Sequence, residues 1–136
     1  YVYMQWLMLQ QEKPEDFVIA TGKMITVRSF IELSANKLGW NKNSKSGIIW
    51  EGTGLNEIGR RADNGEIVVR VDPNYFRPTE VDELLGDASK ARQKLNWEPT
   101  ISLEEMISEM INNDLEEAKK ESLLRNKGFT IHSANE

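Results

Sequence analysis

The alternation of apolar and polar positions along this chain predicts four helices and three short strands. The opening run, YVYMQWLMLQQEKP, sets Val2, Trp6 and Leu9 on one helical face, with Tyr3 and Leu7 beside it, and Pro14 ends it. Phe17 to Ala20 reads as a short buried strand closed by Thr21-Gly22. A second helix follows, with Thr26 as N-cap, Val27, Phe30, Ile31, Ala35 and Leu38 as its apolar stripe, and Gly39 as the residue that ends it. Ile48 to Gly52 is a second strand, and Glu66 to Asp72 a third, with Ile67, Val69 and Val71 alternating. The stretch TGLNEIGRRADNGE between them reads as a loop with a tight turn at Asn64-Gly65. Asp87 caps a short helix, ASKARQKL, and Pro99 keeps NWEPTI out of helix. Ser102 and Glu105 have the capping-box spacing, so the last helix runs from about Leu103 to Leu124. Its buried side is expected to carry Leu103, Met106, Ile107, Met110 and Ile111.

Three short strands make a marginal sheet by themselves. The pattern therefore describes a mixed α/β piece that leans on something else. No capping residue precedes Tyr1, which leads to the expectation that the chain is cut from a longer one. Residues 1–128 are expected to form one unit, with 129–136 a frayed tail.

Composition narrows the chemistry. The chain has 136 residues, 39% of them hydrophobic and 29% charged, which is globular rather than disordered. A net charge of -5 argues against a general nucleic-acid binder, so an anionic ligand must be met by a few local arginines. With no cysteine, disulfides, thiolate metal sites and a cysteine nucleophile are excluded. The single histidine, His132, lies in the polar tail, so neither a catalytic triad nor a histidine-pair metal site can be built. No apolar run approaches the roughly 20 residues that span a bilayer. The opening YVYMQWLMLQQ has no basic n-region and no small-residue cleavage site, so it is not expected to be a signal peptide, and a cytoplasmic protein is expected.

The segment DPNYFRPTEVDELLGD holds the sharpest candidates. A residue before proline favours extended backbone, and proline suits the first position of a helix. Arg77 therefore closes an extended segment, while Glu80, Asp82 and Glu83 sit at the positive end of a short helix. Arg77 is either an exposed arginine beside a helix start or a guanidinium fork aimed at a phosphate. In the second case Glu80 accepts hydrogen bonds from sugar hydroxyls. Arg28, one turn into the second helix, is a weaker candidate, and Arg60 and Arg61 are expected to be solvated. GTGLNEIG is glycine-rich but does not open a clear helix, and no Gly-x-Gly-x-x-Gly pattern is present. The carboxylates of the last helix are expected to solubilise it.

PEDFVIATG, VRSFIE, IIWEG, VDPNYFRPTEVDELLGD and KARQKLNWEPTISLEEMISEMINNDLE closely resemble the C-terminal part of the GDP-mannose 4,6-dehydratase family, within the extended short-chain dehydrogenases/reductases (SDRs). The resemblance implies an α/β fold of Rossmann type, with an N-terminal half that binds NADP and a C-terminal half that binds the nucleotide sugar. It implies conversion of GDP-mannose to GDP-4-keto-6-deoxymannose and water, on the route to GDP-fucose and related deoxysugars. It places Arg77 at the GDP portion and Glu80 at the ribose, and makes Arg28 a plausible further contact. It also implies a homo-oligomer, a dimer or a tetramer.

The family's cofactor loop and catalytic residues belong to the N-terminal half and are absent from this sequence. Hydride transfer needs a bound nicotinamide, and elimination needs a positioned acid and base. The chain by itself is expected to be inactive. Two other readings stay open: a portion of a sister GDP-sugar reductase or epimerase, and a non-catalytic module that binds a nucleotide sugar.

Overall fold

The structure is a computed structural model that describes residues 1–42, 45–77 and 84–129. In chain order it contains α1 (Val2–Leu9), α2 (Val27–Lys37), β1 (Ile48–Glu51), a single 3-10 turn (Gly54–Asn56), β2 (Ile58–Arg61), β3 (Ile67–Arg70), α3 (Ser89–Leu95) and α4 (Leu103–Asn126). Among the described residues the strands form one antiparallel sheet in the order β1-β2-β3.

The helix boundaries follow local chemistry. Thr26 Oγ1 accepts the Ser29 N–H and starts α2. At its other end, Gly39 N–H donates to Asn36 O and Trp40 N–H to Ala35 O, the paired bonds of a Schellman stop. Gly39 takes φ 77° there, which glycine adopts without a Cβ clash. Ser102 and Glu105 form the capping box that opens α4. The expected cap at α3 is shifted: the N-cap position is Ala88, and Asp87 Oδ1 accepts the Ser89 N–H at 2.8 Å.

Two expectations about strands fail. Phe17 to Ala20 is not assigned as a strand, because among the described residues no backbone partner pairs with it. A strand exists as such only through its ladder. Conversely, β2 lies inside the stretch read as a loop. Gly59, Arg60 and Arg61 lack the β-branched signature, yet β2 is the central strand, paired on both sides, with a register shift at Gly59/Arg60. A Cβ on Gly59 would stand 3.1 Å from atoms of Ile48, Trp50 and Val69, so only glycine fits between these neighbours without displacing them. The Asn64-Gly65 turn is present: Arg61 N–H donates to Glu66 O, Gly65 N–H to Arg61 O, and Asn64 Oδ1 accepts from Glu66 N–H.

Burial corrects the expected helix faces. In α1 the buried residue is Met4, with Leu7 and Met8 half-buried, while Val2, Tyr3, Trp6 and Leu9 are exposed. Met4 packs with Ala88, Ala91, Leu95 and Trp97, and Phe17, Ile19 and Ala20 close over that cluster. Across the molecule, Ala35 of α2, Ile48 of β1 and Ile107 of α4 are buried, and α2 packs on α4. Val27, the first residue of the expected α2 stripe, is exposed. Of the five expected core residues of α4, only Ile107 is buried, and Met106 and Met110 are exposed. The apolar stripe of α4 is wider than the surface available here to cover it. No described helix is long and apolar enough to cross a membrane.

Candidate functional site

The N-cap at Thr26 sets Arg28 and Glu32 one turn apart on α2, and both reach the first strand. The Arg28 guanidinium lies 4.2 Å from the centroid of the Trp50 ring. Trp50 Nε1 donates to Glu32 Oε1 at 2.8 Å. Arg28 Nη2 donates to Glu57 Oε1, an ion pair between α2 and the residue that follows the 3-10 turn. The Arg28 side chain remains 44% exposed. The cation is thus clamped between an indole face and a carboxylate. The clamp ties α2, β1 and the β1–β2 connection together, and the fork keeps a solvent-facing side.

Arg77 is exposed and follows the turn in which Asp72 Oδ1 accepts the Asn74 N–H at 2.8 Å and Asp72 O accepts the Tyr75 N–H. Tyr75 and Phe76 beside it are also exposed. Among the described residues Arg77 has no acidic partner. Glu80, with the helix start expected at residues 78–83, lies outside the described residues. No described contact joins Arg28 to Arg77.

Arg60 and Arg61 are engaged rather than merely solvated. Arg60 Nε donates to Glu51 Oε2 at 3.0 Å across the sheet, and Nη1 donates to Gly65 O at 3.1 Å. Arg61 grips Asp63 with two hydrogen bonds, 3.0 and 2.7 Å, and its guanidinium lies 4.3 Å from the Trp40 ring centroid. The Arg61 hydrogen bond holds the Asp63 carboxyl below the usual carboxylate range, and Asp63 raises Arg61 in turn. The hairpin brings Glu51 round to Arg60, nine residues on, whereas Asp63 lies two residues from Arg61.

The glycine-rich stretch does not fit a dinucleotide phosphate. Gly52 has φ 78°, and a Cβ there would fall 2.5 Å from Asn56 O. The loop folds back on itself and leads into a three-residue 3-10 turn, not a helix that could present its N–H groups to an anion. Among the described residues no group of three His, Cys, Asp or Glu side chains could hold a metal ion. A shallow groove of about 260 Å³ between α2 and α4 is lined by Leu33, Asn36, Lys37, Glu104, Ile107 and Ser108, and includes none of the expected site residues.

Trp50, Glu32 and Glu57 are the participants that sequence reasoning missed. The Arg28–Glu32 spacing was a usable signal, since residues four apart share a helix face. Glu57 offers none, because it lies 29 residues from Arg28.

Four helices and a turn-rich antiparallel sheet, carrying surface arginines, define a small α/β portion. The sequence model of a family described as GDP-mannose 4,6 dehydratase matches residues 1–110. A GDP-mannose 4,6-dehydratase of Yersinia enterocolitica is 50% identical over 141 residues, which cover 96% of this chain and 36% of that protein. A GDP-mannose 4,6 dehydratase of Cricetulus griseus is 51% identical over 116 residues, covering 85% of this chain and 30% of that protein. The Homo sapiens protein of the same name is 49% identical over 116 residues, with the same coverage of each. This chain belongs to the GDP-mannose 4,6-dehydratase family. It spans about a third of the length of the curated relatives it matches.

Proposed function

We propose that residues 1–128 are the C-terminal, nucleotide-sugar-binding portion of a GDP-mannose 4,6-dehydratase, an extended SDR lyase whose Rossmann-type N-terminal half binds NADP. The observation that carries this reading is the 50% identity over 96% of the chain to a dehydratase of which the match occupies only 36%. The enzyme converts GDP-mannose to GDP-4-keto-6-deoxymannose, works in the cytoplasm and assembles as a homo-oligomer. NADP supplies the hydride acceptor and donor for that reaction, and no residue of this chain is assigned to it.

The part played by this chain is recognition. Arg77, which is exposed, directs its guanidinium fork to the GDP diphosphate. Glu80 accepts hydrogen bonds from the ribose. Arg28 makes a lesser contact through its open side, because Glu57 and Trp50 already hold it. The chain alone does not turn over GDP-mannose.

Titration calorimetry with GDP tests the reading. The chain binds GDP weakly, and Arg77→Ala weakens that binding by about 1–3 kcal/mol, the scale of a hydrogen bond to a charged group. An unchanged affinity in Arg77→Ala removes the site.

A further inference from the structure

We propose that Asn64 is a site of spontaneous covalent modification. Its side-chain amide closes on the backbone nitrogen of Gly65 to a succinimide, and water opens that ring to aspartate or isoaspartate. The change takes place in the folded chain, at the tip of the β2–β3 hairpin, and needs no enzyme. It does not depend on the family reading.

The sequence supplies the reactive pair. Asparagine is among the thermolabile residues. Of the asparagines in the chain, only Asn64 is followed by glycine. Glycine has no Cβ to crowd the approach of its nitrogen to the asparagine carbonyl. Nothing stands within 4 Å of the place a Cβ on Gly65 would take, so the turn itself leaves that approach open. Both residues are exposed, so water and hydroxide reach them.

The hairpin acts on the two partners in opposite ways. Asn64 Oδ1 accepts the Glu66 N–H at 3.0 Å. That bond is an Asx turn, and it holds the side-chain carbonyl along the chain beside the Gly65 nitrogen instead of out in solvent. The same N–H polarises the carbonyl and stays on its oxygen as negative charge develops there, the part a backbone donor plays at a tetrahedral intermediate. In opposition, Gly65 N–H donates to Arg61 O at 2.9 Å, and that bond must break before the nitrogen can attack. Losing an ordinary hydrogen bond slows the step about 2- to 12-fold. One oxyanion donor accelerates acyl chemistry about 100-fold or more in a dry enzyme site, and less at a wet turn. The two effects nearly cancel, so the fold does not shield Asn64.

The chemistry needs only water. Gly65 N gives its proton to water or hydroxide and forms a bond to Asn64 Cγ, while the Cγ–Nδ2 bond breaks and ammonia leaves. Water then adds to one ring carbonyl, and the bond from that carbon to nitrogen breaks. Opening at Cγ gives aspartate. Opening at the backbone carbonyl gives isoaspartate, which routes the main chain through Cβ and Cγ. Either product sets a new carboxylate between Asp63 and Glu66, which already lie 2.7 and 3.9 Å from the Arg61 guanidinium. Isoaspartate also adds a main-chain carbon inside the turn that Arg61 N–H closes on Glu66 O at 2.8 Å. That form opens the hairpin end and loosens Arg61 from the Trp40 ring, whose centroid lies 4.3 Å away.

Peptide mapping by mass spectrometry tests this on a sample of the chain that melts cooperatively, aged in warm, mildly alkaline buffer. The peptide carrying Asn64 is expected to gain the mass of an amide-to-acid exchange and to split into aspartyl and isoaspartyl forms, ahead of every other asparagine. Its rate is expected within about tenfold of that of the same chain held unfolded in urea. A folded-chain rate more than about a hundredfold below the unfolded one overturns the proposal, since conversion would then wait for local opening. Earlier conversion at another asparagine overturns it as well, and so does unchanged conversion of the same peptide in Asn64→Gln. Hydrogen exchange separates charge from lengthening, because Asn64→Asp carries the carboxylate without the extra carbon. Faster exchange of residues 61–67 in the aged chain than in Asn64→Asp is expected, and equal exchange overturns the opening of the hairpin.

Discussion

The guanidinium of Arg28 lies over Trp50, 4.2 Å from the ring centroid, and donates to Glu57 from the same fork. The two residues come from α2 and β1, so this contact fixes the helix against the sheet. Replacing Arg28 with alanine removes the cation–π contact and the ion pair together. The expected cost is about 1 kcal/mol, because the side chain is partly exposed. Trp50→Phe keeps an aromatic face but removes the Nε1 bond to Glu32, worth about 1 kcal/mol, together with part of the ring's packing. Urea denaturation of both variants checks this, and a much smaller effect in Arg28→Ala would mean that the clamp is idle.

Met4 and Trp6 sit two residues apart on α1 with opposite fates. Met4→Ala leaves a hole in the cluster of Ala88, Ala91, Leu95 and Trp97 and is expected to cost about 2–5 kcal/mol. Thermal unfolding of the chain reads it directly.

Gly52 and Gly86 are steric keystones of different kinds. Gly52→Ala meets both a positive φ and the Asn56 carbonyl, whereas Gly86→Ala meets the side chains of Ala20 and Val18. Overpacking of the second kind costs about 1–3 kcal/mol, and Gly52→Ala is expected to cost more because backbone cannot swing aside. The ratio of the two denaturation midpoints tests that order.

Stability should fall in acid, with a sign set by four carboxyls. Glu15 is lowered by hydrogen bonds from Lys94 and Lys90, and Asp63 by Arg61. Asp87 is lowered by the Ser89 side chain and N–H, and Glu105 by the Ser102 N–H. A folded value below the unfolded one stabilises above the ordinary carboxylate range, about 4, and is lost as pH falls through the lowered values. Melting temperatures should therefore be flat near neutrality and decline below about pH 5. Ser102→Ala removes one capping bond, costs about 1 kcal/mol, and should make that decline shallower, because Glu105 loses part of its reason to ionise early.

The elements legible from sequence are those whose signals are local. Thr26, Gly39, Ser102 and Glu105 marked helix ends, and each makes the bond its type suggests. The Asn64-Gly65 turn was legible for the same reason. β2 was not, because Gly59, Arg60 and Arg61 become a strand only when β1 and β3 flank them. The exposed face of α1 and the unpaired segment 17–20 read as ordinary core and ordinary strand, since pattern records what a residue prefers to bury and not whether a cover is present. At the candidate site, Arg77 was legible from its proline neighbour and Arg28 from its place in α2, but the carboxylate that claims Arg28 was not.

The sequence by itself determined the caps at Thr26 and Ser102, the α/β class, and a family resemblance that the comparisons bear out over residues 1–110. Capping, turn formation and hydrophobic period act over a few residues, and a sequence displays them directly. Only the tertiary structure decided that Arg28 is held by Glu57 and Trp50, and that α1 buries Met4 against α3 and turns Trp6 outward. Those pairings depend on where chain segments tens of residues apart come to rest, and packing sets that.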